Sequence, residues 1–249
     1  MENSVKFLFS GDSALVIEFG NEISVDINKK IRKMMDNIKK ENIDGIIELV
    51  PTYCSLLINY DVLKVDYQSL VEKLKTLLND NNETVEDEEV TLIEIPTLYN
   101  DECGPDLSYV AEYNKLSKEE VIKIHTGTDY LVYMLGFMPG FTYLGGMSEK
   151  IATPRLESPR LQIYPGSVGI AGKQTGMYPS MSPGGWRIIG RTPLKLYNPD
   201  SETPVYISSG DYIRYVSISE EEYNDILKKV ESNEYKLNIC KVKRGELNA

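Results

Sequence analysis

Pro165-Gly-Ser-Val-Gly-Ile-Ala-Gly-Lys-Gln-Thr-Gly176, continued by Tyr178-Pro-Ser-Met-Ser-Pro-Gly-Gly-Trp-Arg-Ile-Ile-Gly-Arg-Thr-Pro193, decides the class of the larger part of the chain. Glycine and proline recur here too densely for a helix. The residues between them form short β-rich runs. Further runs lie outward on both sides: Tyr130–Leu135, Leu161–Tyr164, Val168–Ala171, Trp186–Ile189, Leu194–Tyr197, Val205–Ile207 and Tyr212–Ser217. Many short strands divided by turn residues imply a β-barrel or a sandwich. Ser117 to Ile124 reads as a short helix opened by a capping box, Ser117 with Glu120. Glu220 to Glu231 reads as a later helix and Tyr235–Val242 as a last strand.

Toward the N-terminus the texture changes. A strand is expected at Val5–Phe9 and another at Ala14–Phe19, with the turn Ser10-Gly-Asp-Ser13 between them. From Ser24 to Lys40 the apolar residues Val25, Ile27, Ile31, Met34, Met35 and Ile38 fall mostly on one helical face, and Ser24 suits an N-cap. Gly45–Val50 and Cys54–Tyr60 pair as a hairpin across Pro51-Thr52, and Asp66–Leu78 is a second amphipathic helix. Val90–Ile95 is the next strand. Counted from Ala14 the order is strand, helix, strand, strand, helix, strand, the ferredoxin-like split βαβ order. Val90–Ile95 either closes this sheet or opens the next domain. The expected division is an α+β domain over residues 1–88, an acidic linker at 79–89, and a mostly-β domain over 90–249 that carries the site.

The 249 residues carry a net charge of −11, which argues against nucleic acid and anionic membranes as partners. No stretch approaches a membrane span of about 20 apolar residues. The start has no basic segment followed by an apolar run, so no signal peptide is expected and the cytoplasm is the default location. Cys54, Cys103 and Cys240 are too few and too scattered for a disulfide framework or a thiolate zinc site. With His125 as the sole histidine, no metal site is expected. The charge is uneven. Residues 125–215 carry 8 basic and 6 acidic side chains, net +2, inside an otherwise acidic protein. A site for a small anionic substrate fits that block.

Within it, His125 is the side chain whose ordinary pKa lies near neutrality, and polar neighbours in Ile124-His-Thr-Gly-Thr-Asp129 leave it free for proton transfer, although a lone histidine is more often structural than catalytic. Gly136-Phe-Met-Pro-Gly-Phe-Thr-Tyr-Leu-Gly-Gly146 is either a shaped pocket wall or a tightly turned hairpin. Phe137, Phe141, Tyr143, Tyr178 and Trp186 are the wall candidates. Pro154-Arg and Pro159-Arg place Arg155 and Arg160 next to rigid backbone, and Arg187 and Arg191 add two more guanidinium forks for carboxylate or phosphate. Gly172-Lys173 imitates a phosphate loop. However, the position five before Gly172 is Ser167 rather than glycine, and Gln174 stands where the magnesium hydroxyl belongs. The segment is no Walker motif, although Gly172, Lys173 and Gln174 remain candidates for a weaker anion contact.

Gly136-Phe-Met-Pro-Gly-Phe-Thr-Tyr-Leu, Pro154-Arg with Pro159-Arg160, Pro165 to Pro179, and Ser182-Pro-Gly-Gly-Trp-Arg-Ile-Ile-Gly-Arg-Thr-Pro193 together resemble the B-subunit family of 5-oxoprolinase. That family is also described as allophanate hydrolase subunit 1 or the Kip-type histidine kinase inhibitors. Tyr164 departs from its pattern, which has an aliphatic residue there. The resemblance implies a cyclophilin-like barrel after the small α/β domain. It implies work with two further 5-oxoprolinase proteins, a cyclophilin-like C-subunit together with an A-subunit, opening 5-oxoproline to L-glutamate with ATP and its magnesium counter-ion, both bound in the complex. The chain alone would be inactive. His125 and Lys173 would then be catalytic, with Arg155, Arg160, Gly172, Gln174, Arg187 and Arg191 on substrate or phosphate. The same family implies two rival functions: inhibition of a sporulation histidine kinase by protein binding, and a carboxyltransferase-related part in an allophanate or urea amidolyase pathway.

Overall fold

The computed structural model describes residues 5–78 and 89–248. The expected acidic linker at 79–89 lies outside them except for Glu89, which opens a strand. The chain divides into two compact units, Met1–Val85 and Glu86–Ala249.

The first unit contains β1 (Lys6–Phe9), β2 (Ala14–Glu18), α1 (Val25–Glu41), β3 (Ile46–Pro51), β4 (Ser55–Tyr60) and α2 (Tyr67–Leu78). Helix α1 starts where the Ser24 side chain accepts from the Asp26 N–H, and it stops where Asn42 turns left-handed at φ 47°. Its buried Ile27, Ile31, Met34 and Ile38 recur every three or four residues. They pack with Leu70 and Leu74 of α2 on Leu15, Ile17, Leu56 and Ile58 of the sheet. The sheet is antiparallel in the order β1-β2-β4-β3. The ferredoxin-like reading left its last strand unplaced. Glu89–Leu98 goes to the other unit, and β1 takes the edge beside β2.

The second unit is a mixed α/β body built on an eight-stranded sheet. Its elements are β5 (Glu89–Leu98), α3 (Leu107–Asn114), α4 (Lys118–Thr126), β6 (Asp129–Leu135), β7 (Thr142–Gly145), β8 (Arg160–Ile163), β9 (Ser167–Ala171), β10 (Gln174–Met177), β11 (Ser182–Gly184), β12 (Arg187–Arg191), β13 (Tyr212–Ile218), α5 (Glu220–Glu231) and β14 (Ile239–Lys243). The strand order is β10-β9-β12-β5-β13-β6-β7, with β14 also on β5, while β8 and β11 form a separate ribbon. The outer strands β7 and β10 lie against each other, so the sheet curls into a nearly closed barrel. Ile93, Ile95, Tyr130, Val132, Val168, Ile170, Ile189 and Ile213 fill it.

The capping box of α4 forms in both directions between Ser117 and Glu120. Two expected strands do not form. Leu194–Tyr197 and Val205–Ile207 are irregular, although Leu194, Leu196 and Ile207 are buried. Their apolar residues plug the core from loops, so their pattern reflected burial and not pairing. Helix α3 had no counterpart in the sequence reading.

Candidate functional site

Helix α3 begins at an unusual junction. Gly104 lies so close to β12 that a Cβ there would collide with the Ile189 carbonyl oxygen. The next residues seat Asp106 against the strand: its N–H donates to Ile188 O at 2.9 Å, and the Ile188 N–H donates to its Oδ2 at 2.7 Å. Asp106 is 6% exposed. Although it occupies the N-cap position of α3, its carboxylate makes no cap bond. It faces two arginines instead. Arg160 reaches it with Nη2 to Oδ1 and Nη1 to Oδ2, both at 2.9 Å. Arg187 Nη1 lies 3.8 Å from Oδ1.

These arginines are themselves anchored. Arg160 Nη1 also donates to Trp186 O at 3.4 Å. Arg187 donates from Nε to Pro154 O at 3.3 Å, and its guanidinium lies 3.7 Å over the Tyr109 ring. Arg155 is exposed, with its guanidinium 5.9 Å over the Trp186 ring. The strands bring these groups together: Gly184 of β11 pairs with Arg160 of β8, and Leu156 N–H donates to Gly185 O. Three of the four predicted arginines therefore share one face. Arg191 does not join them. It lies over Tyr164 at 5.3 Å, on the side of Tyr223 of α5.

Next to Arg155 and Arg160 is a small aromatic core. Phe141, Tyr178 and Trp186 meet edge to face, with ring centroids 5.7 to 6.2 Å apart, and Tyr143 leans on Phe141 at 5.3 Å. Burial pushes the Tyr178 phenol up to about 12, so it stays protonated. The segment from Gly136 to Gly146 supplies the tight turn after β6 and then β7 itself, which pairs back on β6. Phe137 sits at its tip at φ 64° and is 68% exposed, so it does not join the buried part of the wall.

Two predicted residues stand elsewhere than expected. His125 lies within α4, not in a polar loop, and is 0% exposed. Its Nδ1 meets the Tyr99 hydroxyl and its Nε2 the Thr175 hydroxyl, both at 2.8 Å. Thr175 donates its own proton to Gly169 O, so it accepts from Nε2–H, and Nδ1 accepts from Tyr99. Burial pushes the imidazole pKa down to about 3. The ring is thus neutral and sealed with both nitrogens engaged, an arrangement that matches the structural alternative for a lone histidine.

Gly172 and Lys173 form the tip of the hairpin between β9 and β10. Gly172 has φ 60°, but its N–H is already donated to Thr153 O at 2.7 Å. Lys173 is exposed and paired with Glu149. Gln174 begins β10. No helix follows the turn, so it offers no helix-terminus cradle for phosphates.

Sequence reading missed Asp106. Its signal was Gly104-Pro105-Asp106 directly ahead of a helix, a pattern that places an acid at the N-cap and a glycine at a close approach.

Residues 5–207 match the family of the carboxyltransferase domain, subdomain C and D. Over 223 residues the chain is 46% identical to the B-subunit of 5-oxoprolinase from Bacillus subtilis (strain 168), covering 86% of this chain and 93% of that protein. A solved structure of a conserved uncharacterized protein from Pyrococcus horikoshii, PH0987, is 50% identical with a TM-score of 0.52, covering 88% of this chain and 100% of that one. The K. lactis urea amidolyase shares the fold at a TM-score of 0.78 and 18% identity, over 96% of this chain and 16% of that one.

Proposed function

The chain belongs to the carboxyltransferase domain, subdomain C and D, family, and from that membership we propose that it is the B-subunit of an ATP-dependent 5-oxoprolinase. The observation that carries this reading is the 46% identity to the Bacillus subtilis B-subunit over 93% of that protein. The chain would act with the C- and A-subunits of such an enzyme to phosphorylate the lactam oxygen of 5-oxoproline and release L-glutamate.

A lactam resists hydrolysis because its amide is resonance-stabilised. Phosphorylating the oxygen makes the ring carbon electrophilic and creates a leaving group. Such a site needs cations for phosphoryl oxygens and a clamp for the substrate carboxylate. Arg155, Arg160 and Arg187 supply a cationic face beside the Trp186 cluster. Lys173, with Gly172 and Gln174, is the outlying candidate for the phosphoryl group. Proton transfer falls to a partner protein, since His125 is sealed away.

The residues here do not fit ATP and magnesium within this chain alone. The Gly172 N–H is spent on Thr153, and Lys173 is held by Glu149. Among the described residues no group of three or more acidic, histidine or cysteine side chains could hold a metal ion. Nucleotide binding is therefore assigned to the complex. Among the described residues no helix is long and apolar enough to cross a membrane.

The deciding experiment co-expresses the chain with its candidate A- and C-type partners and measures 5-oxoproline-dependent ADP release with glutamate formation. Turnover that requires this chain is expected, and none at all would overturn the reading. Loss of turnover coupled to suppressed autophosphorylation of a histidine kinase would put the inhibitor function in its place. The family description favours one second reading, carboxyl transfer in a urea or allophanate pathway. Supplying urea or allophanate in the same assay distinguishes it.

A further inference from the structure

We propose that Asp106 is a positioning residue that fixes Arg160 and Arg187 as a paired clamp for the carboxylate of a small cyclic amide substrate. The inference rests on the 5-oxoprolinase reading for its substrate. It rests on the structure for its geometry.

Three observations converge. First, Asp106 occupies the N-cap of α3 and forgoes the stabilising cap bond that an aspartate there ordinarily makes. Its oxygens go to two guanidinium groups and a strand N–H of β12. Second, the cluster is short of negative charge. One carboxylate faces Arg160 and Arg187, and Arg155 stands nearby on the Trp186 ring with no acidic partner among the described residues. The side chains of Asp106 and Arg187 are only 8% and 13% exposed, so water screens this excess poorly. A ligand carboxylate would complete the balance. Third, the cluster is rigid but open on one side. Arg187 is fixed by Pro154 O and the Tyr109 ring, and Arg160 by both oxygens of Asp106, yet the Arg160 side chain remains 31% exposed. Preset, partly desolvated guanidinium forks bind planar oxyanions with little loss of side-chain freedom.

The test uses this chain in its assembled complex and measures kcat and KM for 5-oxoproline, together with the Ki of 2-pyrrolidinone, the same lactam without the carboxylate. In Asp106→Asn the KM for 5-oxoproline should rise about tenfold or more while kcat changes little, because a positioned charge-assisted contact to the substrate is lost. The Ki of 2-pyrrolidinone should not move, and Asp106→Glu should restore most of the KM. Equal penalties on both lactams, or on neither, would overturn the proposal.

Arg160→Lys is the second variant, in case Asp106→Asn does not fold. It keeps the charge and removes the fork, and the same split between the two lactams is expected. Should the wild-type complex fail to turn over 5-oxoproline, the functional reading falls and the clamp is still decided separately. Trp186 is the chain's sole tryptophan, and its fluorescence in the full chain should then respond to 5-oxoproline but not to 2-pyrrolidinone, with the response lost in Asp106→Asn. The absence of any carboxylate-dependent response would overturn the clamp.

Discussion

His125 and Asp106 are both buried polar side chains of the barrel unit, at 0% and 6% exposure, but their partners differ in kind. His125 is surrounded by neutral hydroxyls and the rings of Tyr130 and Tyr215, the latter 4.4 Å away between centroids. Both imidazole nitrogens meet a hydroxyl, and no charge is left over. Asp106 instead gathers guanidinium groups that outnumber it, at a place where one of them still meets solvent. The first cluster stabilises the core. The second has an unmet electrostatic need, which is what a ligand supplies. Burial alone therefore does not separate a structural polar group from a functional one. The balance of charge and the presence of an open side do.

The largest expected effect breaks the second cluster at its base. Gly104→Ala would drive a Cβ into the backbone of β12 at Ile189. Because the obstacle is backbone, α3 and Asp106 must move, and a loss of about 3 kcal/mol is expected from overpacking. Urea denaturation checks this. A loss well under 1 kcal/mol would mean that the loop seats more loosely than the geometry states.

The next tests whether the first cluster is sealed. The folded protein holds His125 neutral, with its pKa down at about 3, while the unfolded chain has the ordinary value near 6.5. Between these values the unfolded state binds more protons, so stability rises with pH and is lost as pH falls below about 6.5. Relative to His125→Gln, the wild type should lose about 2 kcal/mol between pH 7 and pH 5. Equal pH slopes for the two proteins, from urea midpoints at each pH, would show that the ring titrates in place. The variant's turnover in the complex should change less than its stability.

These two clusters also mark where the sequence could be read and where it could not. The Ser24 and Ser117 caps, the apolar stripe of α1 and most barrel strands were legible, because caps and periodicity act within a few residues. The placement of Glu89–Leu98 was not, because a strand's sheet depends on partners far away; here β13 pairs with it in parallel. The burial of His125 was not legible for the same reason. Its polar sequence neighbours suggested exposure, whereas its actual partners, Tyr99 and Thr175, lie 26 and 50 residues away. Asp106 meets Arg160 and Ile188 across 54 and 82 residues, a distance no local pattern spans. The glycine- and arginine-rich segments pointed to the correct face, yet Arg191 shows that composition cannot sort the residues within it.

That sorting can be tested directly. Arg155 stands over Trp186 beside the proposed clamp, whereas Arg191 lies over Tyr164. Arg155→Gln should lower kcat/KM for 5-oxoproline about tenfold, corresponding to about 1.4 kcal/mol of transition-state stabilisation. Arg191→Gln should lower it less than twofold. The reverse order would move the anion site to the Arg191 side and separate it from Asp106.

Lys173 carries the smallest expected effect on the fold, and it separates a surface ion pair from a working contact. Its partner Glu149 and the lysine itself are both largely exposed, at 74% and 70%. Exposed pairs of this kind gain little, because water screens the attraction and two long side chains must be held still. Lys173→Ala should therefore leave the urea midpoint unchanged within the error of the measurement. Any effect on turnover in the complex then reports on the transferred phosphoryl group and not on folding. Glu149→Ala sharpens the reading, since it frees the lysine without removing it. If Lys173 serves the phosphoryl group, Glu149→Ala should maintain or raise turnover where Lys173→Ala lowers it. If the two variants lower turnover alike, the pair merely shapes the turn between β9 and β10, and the Asp106 face alone remains for the anion.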